Sequence, residues 1–311
     1  MTRPVLLDCD TGTDDAVAIM MAALCPQLHL LGVSTVWGNQ DVADTTANTL
    51  AVLEHVGRAD VPVFRGLAGP RAPRLVPLPP YAAPHRLPLP AAAGREQDMP
   101  AVDWLVARMR SGGLTVVATG PLTNLAAAVA ADPGAVAGVA ELVVLGGAHA
   151  VGNVTPSADR NFWNDPAAAA AVLAAPWRRL VLLTLDATYG APFTAPQGAA
   201  LAALGTPAAV AAATLLAERI TSYSQVPGMR ERTAAPVHDA LAVAYLMDPD
   251  VVSLRPVHVA VETQGRLTYG RSVLDLDGIT GGPPNAHVAL RADGERFFHL
   301  VCGALGRRAG G

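Results

Sequence analysis

Pro4-Val5-Leu6-Leu7-Asp8-Cys9-Asp10-Thr11-Gly12-Thr13-Asp14-Asp15 runs from a short apolar strand through a glycine turn into a helix that continues to Leu24. The strand is rich in branched apolar residues and the helix keeps its apolar residues at helical length. The same alternation recurs outward from it. Leu28 to Val36, Val61 to Phe64, Leu114 to Ala118, Glu141 to Leu145 and Arg179 to Leu185 read as strands. Val42 to Val56, Leu122 to Ala131 and an Ala-rich stretch from Asp165 read as helices between them. Near-continuous apolar strands alternating with helices predict an α/β fold: an open, mostly parallel, Rossmann-like sheet with helices on both faces. In the last third, Pro256 to Thr263, Arg271 to Leu276 and His287 to Arg291 are joined by turns and predict an antiparallel edge.

The 311 residues are expected to form a single domain, residues 1–311, with an ample core, because 51% are apolar and 15% charged. A net charge of -4 supplies no basic field for phosphate backbones, so nucleic acid is not an expected partner. All the basic side chains are Arg, which excludes Schiff-base lysines and P-loop lysines. Cys9, Cys25 and Cys302 are too widely spaced for a zinc site or a disulfide framework, and apolar runs end before membrane-spanning length. A soluble cytoplasmic protein is expected. Two irregular stretches, 66–100 with Tyr81 and His85 and 225–235 with Arg230, Glu231 and Arg232, are candidate lids.

Ligands of an open parallel sheet gather outside the carboxyl ends of its strands. Asp8, Asp10, Asp14 and Asp15 all fall at the first such exit. Helix capping accounts for one of them, and four exceed it. Carboxylates this close repel one another unless a cation or shared protons compensate, and hard oxygen ligands favour Ca²⁺ or Mg²⁺.

Asp8 to Ala16 resembles the D-x-D-x-G-x-D-D-A signature of the inosine-uridine-preferring nucleoside hydrolases. Further blocks follow in family order: Gly38-Asn39, Thr119-Gly120-Pro121-Leu122-Thr123-Asn124, Gly146-Gly147, Gly152-Asn153, Asn161, and Val237-His238-Asp239. The resemblance implies hydrolysis of the N-glycosidic bond of ribonucleosides to ribose and free base, using a water held by Ca²⁺. It places Asp10, Asp15, Asp239 and the backbone carbonyl of Thr123 as metal ligands and Asp10 as general base. It gives the ribose to Asp14, Asn39, Asn153, Asp159, Asn161 and Asp239, and the leaving base to His238 as acid. It also implies a homodimer or homotetramer acting on a small-molecule nucleoside.

Departures from the family pattern bear on specificity. Where many members have A-E-F-N, this chain has Ala158-Asp159-Arg160-Asn161. An Arg at 160 can stack on a base, pair with an acidic substituent or stand in a surface ion pair. The stretch near His85 lacks the H-G-x-x-G pattern common in the first lid, and Leu145 stands where some members have Met, leaving purine and pyrimidine open. Arg230 and Arg232 beside Glu231 can meet a substrate or form a solvated loop face, the latter being the commoner outcome for such a cluster.

Two other readings compete. Asp8-Cys9-Asp10-Thr11 also resembles haloacid-dehalogenase-type phosphohydrolases, with Asp8 as nucleophile, but the chain offers no Lys to balance a phosphoryl group. A nucleoside- or ribose-binding protein that has lost turnover would have no need of a base at Asp10 or an acid at His238.

Overall fold

The computed structural model describes residues 2–77, 86–224 and 233–307. Eleven strands are described: β1 Arg3–Cys9, β2 Leu28–Thr35, β3 Val63–Arg65, β4 Leu114–Ala118, β5 Val139–Leu145, β6 Leu180–Leu183, β7 Phe193–Thr194, β8 Ala234–Ala235, β9 Val252–Val261, β10 Ser272–Asp275 and β11 Ala286–Ala292. The described helices are α1 Thr13–Leu24, α2 Val42–His55, α3 Ala101–Ser111, α4 Thr123–Ala131, α5 Arg160–Asn164, α6 Pro166–Ala174, α7 Leu185–Tyr189, α8 Ala195–Ala202, α9 Pro207–Ser224, α10 His238–Met247 and α11 Gly294–Leu305.

Nine strands form one sheet in the order β10-β9-β11-β6-β5-β4-β1-β2-β3. From β3 to β11 every neighbouring pair is parallel, and β9 and β10 add the antiparallel edge expected from the last third. β7 and β8 pair separately as a two-residue antiparallel ribbon. Strand order reverses between β1 and β4, which is where such a sheet opens a crevice at its carboxyl edge.

Alternation along each parallel strand explains the two-sided burial. Val5 and Leu7 join one core cluster, with α1, α9, α10 and α11, while Leu6 joins another with α3, α4 and α6. Val143 against Val144, and Val181 against Leu182, divide in the same way. Few aromatics are needed, because closely packed Ala, Val and Leu fill both layers.

Differences from the sequence reading have local causes. β3 starts at Val63, after Pro62, whose nitrogen has no hydrogen to give a ladder. α3 was not expected: it starts after Pro100 and packs Trp104 flat on Phe64, ring centroids 4.2 Å apart. β6 ends at Leu183 because Thr184 turns the chain into α7. Of the two candidate lids, Tyr81, His85, Arg230, Glu231 and Arg232 lie outside the described residues.

At the amino edge of the sheet, buried Glu141 is held by Arg3, by Arg179 Nε at 2.7 Å and by Tyr245 OH at 2.9 Å. At this end the buried charge is matched by cations. Leu182→Ala, which empties a fully buried position between β5 and β11, is expected to cost about 2–5 kcal/mol in urea unfolding. Val273→Ser on the exposed edge strand is expected to stay within about 0.5 kcal/mol.

Candidate active site

The carboxyl edge carries a pocket of about 270 Å³, lined by Asp10, Asp14, Asp159 and Asp239, by Asn39, Asn153 and Asn161, and by Arg219, Tyr223 and His238, among others. It lies at the strand-order reversal, and its walls come from the exits of β1, β2, β4, β5 and β6. Larger hollows exist elsewhere, one of about 740 Å³ beside α9, but that one is mostly apolar and gathers no acids. The acids and most polar side chains of this edge gather in the smaller pocket.

Four buried acids meet there. Asp14, Asp15 and Asp239 each present an oxygen within 4.8 Å of the other two. Asp15 accepts from Gly12 N at 2.9 Å, Thr119 Oγ1 at 2.8 Å and Asn39 Nδ2 at 3.4 Å. Asp10 stands beside this trio, accepting from Asn39 N at 2.7 Å. Burial first, and the neighbouring acids second, push Asp10 and Asp239 well above the usual carboxylate range and Asp15 up to about 6. The donor set is all hard oxygen, strongly anionic and short of compensating charge, and it therefore suits a divalent cation such as Ca²⁺.

The backbone makes room for this. A Cβ on Gly38 would stand 2.0 Å from Asp10 Oδ2, so only glycine lets the loop after β2 close on that carboxylate. Gly147 has φ +72° and donates its N–H to Asp159 Oδ1 at 2.7 Å.

The other expected residues take distinct positions. Asn161 gives both side-chain hydrogens to Thr119 O and Leu145 O, which fixes its amide and leaves the oxygen as its acceptor. Asn153 accepts from Arg160 N at 2.8 Å, leaving its NH₂ as donor. Asp159 caps α5, accepting from Asn161 N and Phe162 N as well as Gly147 N. Its carboxylate is thus engaged by backbone. Arg160 lines the pocket with an exposed side chain. Thr123 is not among the residues that line the pocket; its hydroxyl donates to Asp165 at 2.8 Å and accepts from Trp37 Nε1 at 3.1 Å, so its carbonyl is the oxygen left for a ligand role.

His238 begins α10 and lies buried, with Nδ1 2.6 Å from Thr188 Oγ1 and Nε2 2.8 Å from Tyr223 OH. Burial, then the Arg219 charge, lowers it to about 3, so the imidazole is neutral near pH 7. Since Thr188 Oγ1 also donates to Leu185 O at 3.1 Å, the network assigns the proton to Nδ1 and leaves Nε2 to accept from Tyr223. Burial pushes the Tyr223 phenol up, and it keeps its proton.

Arg219, Tyr223 and Thr188 escaped the sequence reading. Arg219 and Tyr223 are four apart on α9 and therefore share a face. A charged residue on an Ala- and Leu-rich helix was the available signal. Asp8, the nucleophile of the phosphohydrolase alternative, does not line the pocket: it is buried and accepts from Ser34 Oγ at 2.6 Å and Asn124 Nδ2 at 2.8 Å.

Residues 5–299 match the family described as inosine-uridine preferring nucleoside hydrolase. The pyrimidine-specific ribonucleoside hydrolase RihA of Shewanella woodyi is 35% identical over 310 residues, covering 98% of each chain. Among solved structures, a purine-preferring ribonucleoside hydrolase from Gardnerella vaginalis superposes with a TM-score of 0.86 at 26% identity, over 98% of both chains. A plant nucleoside hydrolase gives a TM-score of 0.88 at 27% identity, over 98% of this chain and 99% of that one.

Two outcomes are expected. Gly38→Ala should displace Asp10 and lower activity by at least tenfold while leaving the circular dichroism spectrum unchanged. Raised folded-state carboxylate pKa values, at about 6 for Asp15, Asp8 and Asp159, contribute stability that is complete below about pH 4 and is lost as pH rises through 6. Chelator-treated protein should therefore show a falling Tm across pH 4–6, and added Ca²⁺ should raise Tm most at the upper end.

Proposed function

The chain belongs to the inosine-uridine preferring nucleoside hydrolase family, and from that premise we propose a mechanism in which Asp10 is the base and Tyr223 with His238 assists the leaving group. The observation that carries it is the convergence in one pocket of the acids after β1 with Asp239, more than two hundred residues away. Asp10, Asp15, Asp239 and the Thr123 carbonyl would hold the cation. Bound there, Ca²⁺ would supply Lewis acidity, making a nearby water easier to deprotonate.

Asp10, tethered by Asn39 N, takes a proton from that water as the water attacks the anomeric carbon. Asp14, Asn39, Asn153, Asp159, Asn161 and Asp239 line the pocket and would offer both acceptors and donors to the sugar's hydroxyls, the Asp159 carboxylate being already engaged by backbone N–H groups. Positive charge that develops on the ribosyl ring is stabilised by the surrounding carboxylates.

The base leaves more readily when protonated. A neutral His238 does not carry a spare proton at pH 7, so the imidazole acts through Tyr223, whose O–H stays protonated at 2.8 Å from Nε2. Rotation of that hydroxyl would turn its proton toward the departing base, and the pair recovers a proton from solvent. The physiological setting we propose, a reducing cytoplasm and a homodimer or homotetramer, is supported on the first point by three unpaired cysteines. Light scattering tests the second.

The test is release of ribose from a panel of purine and pyrimidine ribonucleosides, with and without chelator. Hydrolysis should stop on chelation and return with Ca²⁺. Asp10→Asn should lose about 10²- to 10⁴-fold in kcat with its fold intact; an active variant would refute the base. Tyr223→Phe should lower kcat on natural nucleosides by at least tenfold, yet spare 4-nitrophenyl riboside, whose leaving group needs no proton. Equal losses on both substrates would remove Tyr223 from the acid role. Nucleoside binding without turnover by the Ca²⁺-loaded protein would make it a binding protein.

A further inference from the structure

Arg219 is the one cation that the described structure sets against the four acids. Its side chain is 12% exposed, and a guanidinium so enclosed requires partners. It finds them on three separate segments. Nη1 donates to Asp14 Oδ1 at 2.8 Å and to Thr13 Oγ1 at 2.9 Å in the first turn of α1. Nε donates to Pro236 O at 2.9 Å, two residues before His238. Its Cζ stands 5.5 Å from the centre of the Tyr223 ring on its own helix. All three segments supply residues to the pocket.

The trio with the closest oxygens is Asp14, Asp15 and Asp239, not the set that includes Asp10. On proximity alone, Asp14 would be a metal ligand and would be lost to the sugar. Of the four acids, however, Asp14 alone forms an ion pair among the described residues, whereas Asp15 and Asp10 receive neutral N–H and O–H donors. A carboxylate whose charge is already matched by a guanidinium is a poorer ligand for a dication than its unmatched neighbours.

We infer that Arg219 is a positioning residue that reserves Asp14 for the substrate: by pairing with one Asp14 oxygen it keeps Asp14 out of the cation's ligand set and leaves the other oxygen to accept a ribose hydroxyl. This rests on the reading of the pocket as a cation-assisted ribosidase. With all four acids ionised, a dication and Arg219 leave one negative charge uncompensated, which faces the cationic ribosyl transition state. Without Arg219 the excess would be two.

The experiment is calorimetry on chelator-stripped protein, first with Ca²⁺ and then, in saturating Ca²⁺, with ribose. Arg219→Met should tighten Ca²⁺ about fivefold, because a screened positive charge has been removed nearby, and weaken ribose at least tenfold. A residue of merely structural importance would weaken both. Arg219→Lys, which keeps the charge, should hold the Ca²⁺ affinity within about twofold of the parent. The charge-balanced double variant Asp14→Asn with Arg219→Gln decides the matter even if Arg219→Met fails to fold. Its Ca²⁺ affinity should stay within tenfold of the parent while ribose binding is lost. A larger fall in Ca²⁺ affinity would make Asp14 a ligand and overturn the inference, as would unchanged ribose binding. If the parent protein binds no Ca²⁺ at all, it is the cation-assisted reading of the pocket that fails.

Discussion

Repulsion among Asp10, Asp14, Asp15 and Asp239, buried side by side, is the constraint around which the carboxyl edge of the sheet is arranged. Buried carboxylates are tolerated when each has a partner, as Glu141 has at the opposite edge, with two Arg and a Tyr around it. The carboxyl edge is built otherwise. Among the described residues, one Arg, two backbone amides, the Asn39 side-chain amide and a threonine hydroxyl serve four acids, and the deficit of positive charge suits the pocket to a cation. An arrangement optimised only for stability would have no such deficit.

The fold serves this deficit by bringing distant residues to one place. The reversal of strand order between β1 and β4 opens the crevice, α1 carries Asp14 and Asp15 in its first turn, and α10 carries His238 and Asp239 in its own. Acids in first turns lie where the helix dipole favours negative charge, which lowers the cost of their crowding. Glycines at 38 and 147 let loops approach closely enough to donate N–H groups to carboxylates or to pass beside them. The rest of the site is held by hydrogen bonds from residues whose own amides are already committed, Asn161 above all.

Much of this was legible in the sequence, for reasons that can be named. Strands buried on both faces announce themselves as apolar runs, so β1, β2, β4, β5 and β6 were found with small errors at their ends, and the acids at the exit of β1 stood out against a chain with little charge. Asp239 was found through resemblance, because no local pattern says that residue 239 returns to residue 15. Arg219 and Tyr223 were missed for a related reason: a helix shows its face only after its neighbours are known, and the meaning of Arg219 depends on Asp14, some two hundred residues earlier. His238 was recognised as a residue, but its neutral state was not, since that follows from burial and from Arg219. Asp159 read as a sugar ligand in place of a longer Glu, and the structure gives its carboxylate three backbone amides to hold.

Crystals grown with Ca²⁺ and ribose would test the central claim most directly. A single strong difference peak is expected in the pocket, bonded to oxygens of Asp10, Asp15 and Asp239 and to two ribose hydroxyls, with Asp14 still paired to Arg219. A pocket without an ion, or an ion and a sugar found at separate places, would contradict it.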